Sequence, residues 1–503
     1  MAGEKGKVIT TLRKRREVEA EIRRMLESPD EGDFLARAAH IATYGRQVIP
    51  VILHHLNTAD AHLLGVLGTI ATYLDTEEVA QALRKVATGA GYSDHERMAA
   101  LMILDRFLHQ ELDEELFAAL RNPQEVAMQS LAEMLDEAEK NPFILLEYIR
   151  ALEEQPIEVV QAIVEAMRGL DRERAVEPLR LLAQDERPLV AERAIRTLST
   201  IRLPQAARAL QTLLPTVRPQ LRPLVERSLR KLRLSGVPLE ALPPAAGAWR
   251  TLISPPDGGG NQSVWFIDER PPGRFLNLLL NDVVGMRAAL GGVEGGATER
   301  LPPRTSPGTI HALFVPESNF VLTMLEADFD YGRRLVLESL IHNWESGIPV
   351  PAQYRLLNDL LWGQDYSGVA QSEKLPPLER MEALALLPLT GLLLDHPAFS
   401  GWPLQNELVY YHAARILARN EGRIEPKGFI RNYFDREALT LYRARLKTIS
   451  EWLLRAGEEH LARLALAAAL TVGLRQPVDH PLFRRLAEQS LELALEQLGA
   501  ATG

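Results

Sequence analysis

The chain has 503 residues, and 57 Lys and Arg against 67 Asp and Glu give it a formal net charge of −10 at pH 7. This acidic balance argues against a general nucleic-acid binder, while a hydrophobic fraction of 46% is ordinary for a folded protein. The absence of cysteine excludes disulfides and thiolate chemistry and makes a cytoplasmic location the default expectation. The longest uncharged apolar run, residues 383–394, is too short to span a bilayer.

The first 30 residues predict an amphipathic helix. Val8, Leu12, Val18 and Ile22 fall near one face of such a helix. The segment has charges but no apolar stretch of the kind that a secretory signal needs. We therefore expect residues 1–30 to form an N-terminal capping helix.

Residues 31–236 predict a long series of short helices. Apolar residues recur at i, i+3, i+4 and i+7, and Gly, Pro, Asn and Asp separate the helices. Within this region Glu192–Pro204 (ERAIRTLSTIRLP) returns 34 residues later as Glu226–Pro238 (ERSLRKLRLSGVP). A period in the mid-thirties with two helices per unit is typical of an α-solenoid.

This solenoid, which lies in the N-terminal half, resembles HEAT repeats, most clearly over residues 175–198. Pro178 begins the Pro-Leu pair of the family's first helix, and Asp185 lies five positions before Val190. The family has an arginine directly after that valine, but here Ala191 follows, so the usual Asp–Arg bond between units is not expected. The resemblance implies a surface of second helices that binds another macromolecule.

Charge is distributed unevenly along the predicted solenoid. Asp75–Glu158 contains 19 acidic and 7 basic residues, whereas Asp171–Arg233 contains 7 acidic and 14 basic residues. Residues at i and i+3 share a helix face, so the cations of the two repeat copies could form one basic strip. Such a strip would bind an acidic peptide or a phosphate backbone, unless Glu192 and Glu226 neutralise it or it simply faces water. The candidate partner-binding residues are Arg193, Arg196, Arg227, Arg230, Lys231 and Arg233.

The composition changes after residue 236. Residues 237–248 are rich in Pro, Ala and Gly and predict a linker. Residues 249–346 predict a small α+β module, because β-prone runs flank the glycine loop at 257–261 in the manner of a hairpin. Its predicted elements are strands at 249–254, 263–268 and 309–315 and helices at 274–290 and 318–346.

Residues 347–503 predict a C-terminal helical domain without the 34-residue period. The sequence Asp-His-Pro-x-Phe occurs there twice, at 395–399 and 479–483. Two such copies raise a metal hypothesis. The favoured interpretation is structural, with Asp as a helix cap and Phe as a core anchor.

No motif in the chain supports a named reaction. HExxH, GxSxG and kinase motifs are absent from the sequence. The glycine loop at 257–261 precedes a strand and is not followed by Lys, which favours a turn over a phosphate site. We therefore predict no catalytic residues, no metal ligands and no cofactor, and an enzyme is the less favoured class.

Three functions stay open from the sequence. The first is a non-enzymatic scaffold or adaptor that binds a protein partner along the solenoid. The second is nucleic-acid binding, in which the basic strip contacts a phosphate backbone. The third is a small-ligand or enzymatic site in the module at 249–346, since loops on a rigid scaffold often carry function.

Overall fold

The computed structural model describes residues 2–26, 31–58, 61–74, 76–89, 91–110, 123–244, 249–270, 273–293, 301–315, 320–367, 369, 376–419 and 426–502. The fold is mainly α: helical repeats are followed by one β-sheet and a helical C-terminal part, which confirms the predicted fold class. None of the described helices is both long enough and apolar enough to cross a membrane.

The chain forms two compact units. Unit 1 consists of Met1–Leu145 and Glu158–Ala175, and unit 2 consists of Leu146–Ile157 and Val176–Gly503. The domain boundaries drawn from the sequence remain predictions, and part of the proposed linker, residues 245–248, lies outside the described residues.

Unit 1 is helical, and its hydrophobic core includes the N-terminal helix. Val18, Ile22 and Met25 are buried in that core, as expected for an amphipathic helix in this position. A capping box formed by Ser93 and Glu96 fixes the start of α6. The helices are α1 (Ala2–Leu26), α2 (Glu31–Ala42), α3 (Ile49–His55), α4 (Ala61–Thr72), α5 (Thr76–Thr88), α6 (Asp94–Met102), a π-helix (Ile103–Phe107), α7 (Pro123–Lys140) and α9 (Ile157–Ala166).

Unit 2 begins with repeat helices arranged in two layers. Several of them have Pro in the first turn, where the missing N–H needs no partner. One layer contains α10 packed on α12, and we call it the inner layer because Asn358, Gly363 and Tyr366 bond to it. The other layer, called the outer layer, contains α11 packed on α13, and each helix also contacts its partner in the other layer. The helices are α8 (Ile144–Glu153), α10 (Val176–Leu182), α11 (Pro188–Leu198), α12 (Pro204–Leu213) and α13 (Arg222–Leu234).

A six-stranded antiparallel sheet follows the repeats, with the order β4-β3-β2-β1-β6-β5. Helix α14 (Phe329–Ser346) packs across one face of this sheet. Gly332 permits the close approach, because a Cβ there would lie 2.7 Å from the Phe266 ring. The strands are β1 (Trp249–Ile253), β2 (Asn261–Asp268), β3 (Arg274–Asn281), β4 (Gly285–Val293), β5 (Ile310–Val315) and β6 (Phe320–Ala327).

The prediction of a helix at 274–290 was wrong, because this segment forms the hairpin of β3 and β4. Leu276, Leu278 and Leu280 alternate into the core with a period of two, which is the spacing of a strand. The helix predicted at 318–346 likewise begins only at Phe329, after β6. Both segments are rich in Leu, which favours helix locally, but pairing across the sheet decides the outcome.

The C-terminal helices share one hydrophobic core with the sheet. Two buried indole groups join the parts: Trp402 Nε1 donates to Pro256 O at 3.0 Å, and Trp452 Nε1 donates to Ile253 O at 3.0 Å. The helices are α15 (Ala352–Leu357), α16 (Asp359–Trp362), α17 (Arg380–Leu386), a 3₁₀ stretch (Leu387–Asp395), α18 (Glu407–Arg419), α19 (Lys427–Tyr433), α20 (Arg436–Arg455), α21 (Glu459–Thr471) and α22 (Pro481–Thr502).

The glycine loop at 257–261 is a hairpin connection between β1 and β2, as favoured from the sequence. Asp257 Oδ1 accepts from Asn261 N at 2.7 Å, and Gly258 N donates to Gly401 O at 3.0 Å. Arg445 donates to Gly258 O at 2.6 Å and also contacts Asp282. The loop therefore bonds to its own chain.

Gly260→Ala is expected to destabilise unit 2 by about 2–3 kcal/mol. Gly260 has a φ of +80°, and an added Cβ would lie 1.8 Å from Asp282 Oδ1. Gly457→Ala is the matched control, because Gly457 has a φ of +76° but no heavy atom within 4 Å of the added Cβ. Denaturation followed by tryptophan fluorescence reports on unit 2, which holds all six tryptophans. Equal losses for the two variants would show that the clash is unimportant.

Candidate functional site

The inner layer of the repeats is covered by the chain's own C-terminal part. The buried Arg180 of α10 donates to Asn358 Oδ1 at 2.5 Å and to Leu356 O at 2.7 Å. In α12, Arg208 donates to Gly363 O, and Gln211 O accepts from the Tyr366 hydroxyl at 3.4 Å. These bonds cover one face of α10 and α12.

Burial affects the charged side chains at this covered face, and it changes the pKa of one carboxyl there. Arg180 is 3% exposed and forms an ion pair with Glu177 on the same helix. Burial raises the pKa of the nearby Asp359 carboxyl, and the Arg180 guanidinium counteracts the shift only in part. A buried cation held by a carboxylate, an amide oxygen and a carbonyl oxygen is well satisfied, so the contact is suited to permanent packing.

A small cavity lies along the same face. Its volume is about 20 Å³, room for a single water molecule, and its lining includes Glu186, Arg218, Trp344 and Arg355. Arg355 is 2% exposed, and its Nε has no hydrogen-bond partner among the described residues.

Successive repeats are joined by arginines in the loops. Arg187 forms an ion pair with Asp185, 2.8 Å between Nε and Oδ1, and donates to Gln155 O and Leu152 O of the preceding repeat. Arg218 likewise reaches back to Glu186. The repeats therefore stay connected even though Ala191 stands where the family has an arginine. Arg187, two positions after Asp185, forms the bonds between the units instead.

The outer layer carries the six predicted partner-binding cations, and the structure divides them into two groups. Arg196 is held by Glu192, with 2.5 Å between Nη2 and Oε1, so α11 contributes a neutralised pair. Arg193 is half-buried on the same helix. The sequence left open whether Glu192 neutralises the charge of the strip. The structure shows that Glu192 neutralises the charge of Arg196.

The cations of α13 are more exposed. Lys231 donates to Ser199 Oγ at 3.3 Å, which brings α13 against α11 as the repeat predicted. Arg227, Arg230 and Arg233 are exposed and form no ion pair with any carboxylate in the described parts of the chain. The basic strip is therefore concentrated on α13 instead of spanning both helices equally.

The family model described as HEAT repeats matches residues 145–230. This segment is therefore similar to HEAT repeats. No curated protein and no solved structure matches the chain. HEAT repeats in general suggest a scaffold for protein interaction, and here they comprise the covered inner layer and the basic outer layer.

The sheet contains a buried polar cluster that the sequence did not indicate. Arg250 of β1 contacts both carboxylate oxygens of Glu326 on β6, at 2.8 to 3.1 Å, and donates to Pro302 O at 2.7 Å. His311 Nε2 lies 3.1 Å from Glu326 Oε2. Because Arg250 and Glu326 are 76 positions apart, no local spacing could have revealed the pair.

The two Asp-His-Pro-x-Phe copies are structural turns. Phe399 and Phe483 are buried in the core, as expected. The cap differs from the prediction, since it is the His396 side chain that accepts from Ala398 N at 3.2 Å, while Asp395 forms an ion pair with Arg485. Among the residues that the structure describes, no group of three or more His, Asp and Glu side chains is placed to hold a metal ion.

Proposed function

We propose that this protein is a non-enzymatic scaffold that binds a protein partner on the outer layer of its HEAT repeats, formed by α11 and α13. One observation carries the proposal: the inner layer is bonded to residues 354–366, whereas the outer layer keeps Arg227, Arg230 and Arg233 in water without carboxylate partners in the described structure. Arginine is favoured at protein interfaces because its planar group binds carboxylates in a bidentate manner.

The location is part of the same proposal. A cysteine-free sequence needs no disulfide-forming compartment, which supports a cytoplasmic protein. A scaffold of this kind needs neither a cofactor nor a metal.

Site-specific photo-crosslinking tests the proposed surface. With a photo-reactive amino acid at Arg230 of the full chain, we expect irradiation in the source cell to give a recurrent adduct with one protein. The same amino acid at Arg431, an exposed arginine of α19, is the matched control and should not give that adduct. A specific adduct at Arg431 with none at Arg230 would overturn the proposal.

A further inference from the structure

One face of α13 combines cations with an exposed apolar side chain. Arg227, Arg230 and Leu234 lie at i, i+3 and i+7, the spacing of a single helix face, over about 10 Å. Leu234 is 89% exposed, more than any other large hydrophobic side chain that the structure describes. We refer to these three residues as the α13 stripe.

The charge of α13 is strongly one-sided. Between Arg222 and Leu234 the helix carries five basic residues and a single acidic one, Glu226. Arg227, Arg230 and Glu226 are all exposed. A surface of this kind is electrostatically complementary to carboxylates and draws an acidic partner toward it.

We infer that the partner of the outer layer presents an acidic segment with an apolar side chain beside its carboxylates. The inference rests on the proposed scaffold function and specifies the chemistry of its partner. The carboxylates bind Arg227 and Arg230, each able to form two parallel N–H···O bonds. The apolar side chain covers Leu234, which removes its exposed surface from water.

A protein segment fits this stripe better than a nucleic acid does. A phosphate backbone carries charge along its whole length, so Leu234 would face phosphates without any apolar contact. An acidic amphipathic helix offers carboxylates and an apolar residue at the spacing that the stripe requires.

Fluorescence anisotropy with the full chain tests the inference. The probe is a labelled synthetic helix in which Glu recurs at i and i+4 beside Leu, and a peptide with Gln in place of Glu is its control. Duplex DNA of about 20 base pairs is the third ligand. We expect the acidic peptide to bind at low salt and the Gln peptide to bind at least about tenfold more weakly.

Variants separate the two components of the stripe. Arg227→Glu with Arg230→Glu should weaken binding of the acidic peptide at least about tenfold, and Leu234→Ser should weaken it about threefold or more. The matched control is Arg431→Glu with Arg436→Glu, two exposed arginines of the C-terminal helices, which should bind like the parent. Far-UV circular dichroism confirms that each variant is folded.

Several outcomes would overturn the inference. Equal binding of the Glu and Gln peptides, or no effect of Leu234→Ser, removes the acidic amphipathic partner. Tighter binding of duplex DNA that is lost in the double arginine variant replaces it with a nucleic acid. A protein adduct at Arg230 without acidic-peptide binding defeats this inference alone, whereas absence of any adduct defeats the scaffold proposal as well.

Discussion

Replacing Arg250 by methionine is expected to lower the free energy of unfolding of unit 2 by about 3–5 kcal/mol. The Glu326 side chain is 3% exposed and accepts three charge-assisted hydrogen bonds from Arg250. Without the guanidinium, the buried carboxylate keeps His311 and Thr305 as its side-chain partners among the residues that the structure describes. Methionine retains most of the arginine side-chain volume, so the loss measures the unpaired charge more than a cavity.

The double variant Arg250→Met with Glu326→Met is the control for this prediction. It removes both charges from the interior, and replacing a whole buried pair by apolar side chains is often neutral. We expect it to recover more than half of the stability lost in Arg250→Met. Chemical denaturation followed by tryptophan fluorescence measures both variants. A loss below about 1 kcal/mol for the single variant would mean that water reaches Glu326 or that the sheet rearranges.

The repeat region could be predicted because its signals are local. Each helix has its own apolar stripe and its own Pro or Asx at the start, and the period of Glu192–Pro204 and Glu226–Pro238 specifies the stacking of α11 on α13. The structure confirms that stacking through the bond from Lys231 to Ser199. Side-chain partners were less predictable: the sequence offered Glu192 and Glu226 equally as neutralising groups, but only Glu192 holds an arginine.

The sheet was under-predicted because its order depends on contacts between distant residues. The pairing of β1 with β6 joins Leu252 to Glu326, and no turn residue marks that contact in the sequence. The leucines of β3 alternate with Phe275 and Asn277, but a Leu-rich run of this length is equally compatible with a buried helix. For the same reason the sequence did not predict that the C-terminal part covers the inner repeat layer, since Arg180 and Asn358 are 178 positions apart.

A decrease in pH from about 6.5 to 4 is expected to destabilise unit 2, and His480 is expected to be a main cause. The side chain is 1% exposed, and its Nε2 lies 3.1 Å from Thr471 Oγ1. Burial lowers the pKa of His480 from 6.5 to about 4. At intermediate pH the unfolded chain therefore binds a proton that the folded chain does not. The stabilising contribution is complete above pH 6.5 and decreases as the pH falls toward 4.

The size of this effect follows from the shift. Each pKa unit corresponds to about 1.4 kcal/mol, so His480 accounts for a loss of about 3 kcal/mol by pH 4. His480→Gln should flatten the pH dependence of unit 2 stability between pH 4 and 6.5, as measured by denaturation at several pH values. His396 occupies the equivalent position of the other Asp-His-Pro-x-Phe copy and is only half-buried, and burial lowers its pKa as well. His396→Gln should therefore change the slope less, and an unchanged slope in His480→Gln would show that another group controls the acid transition.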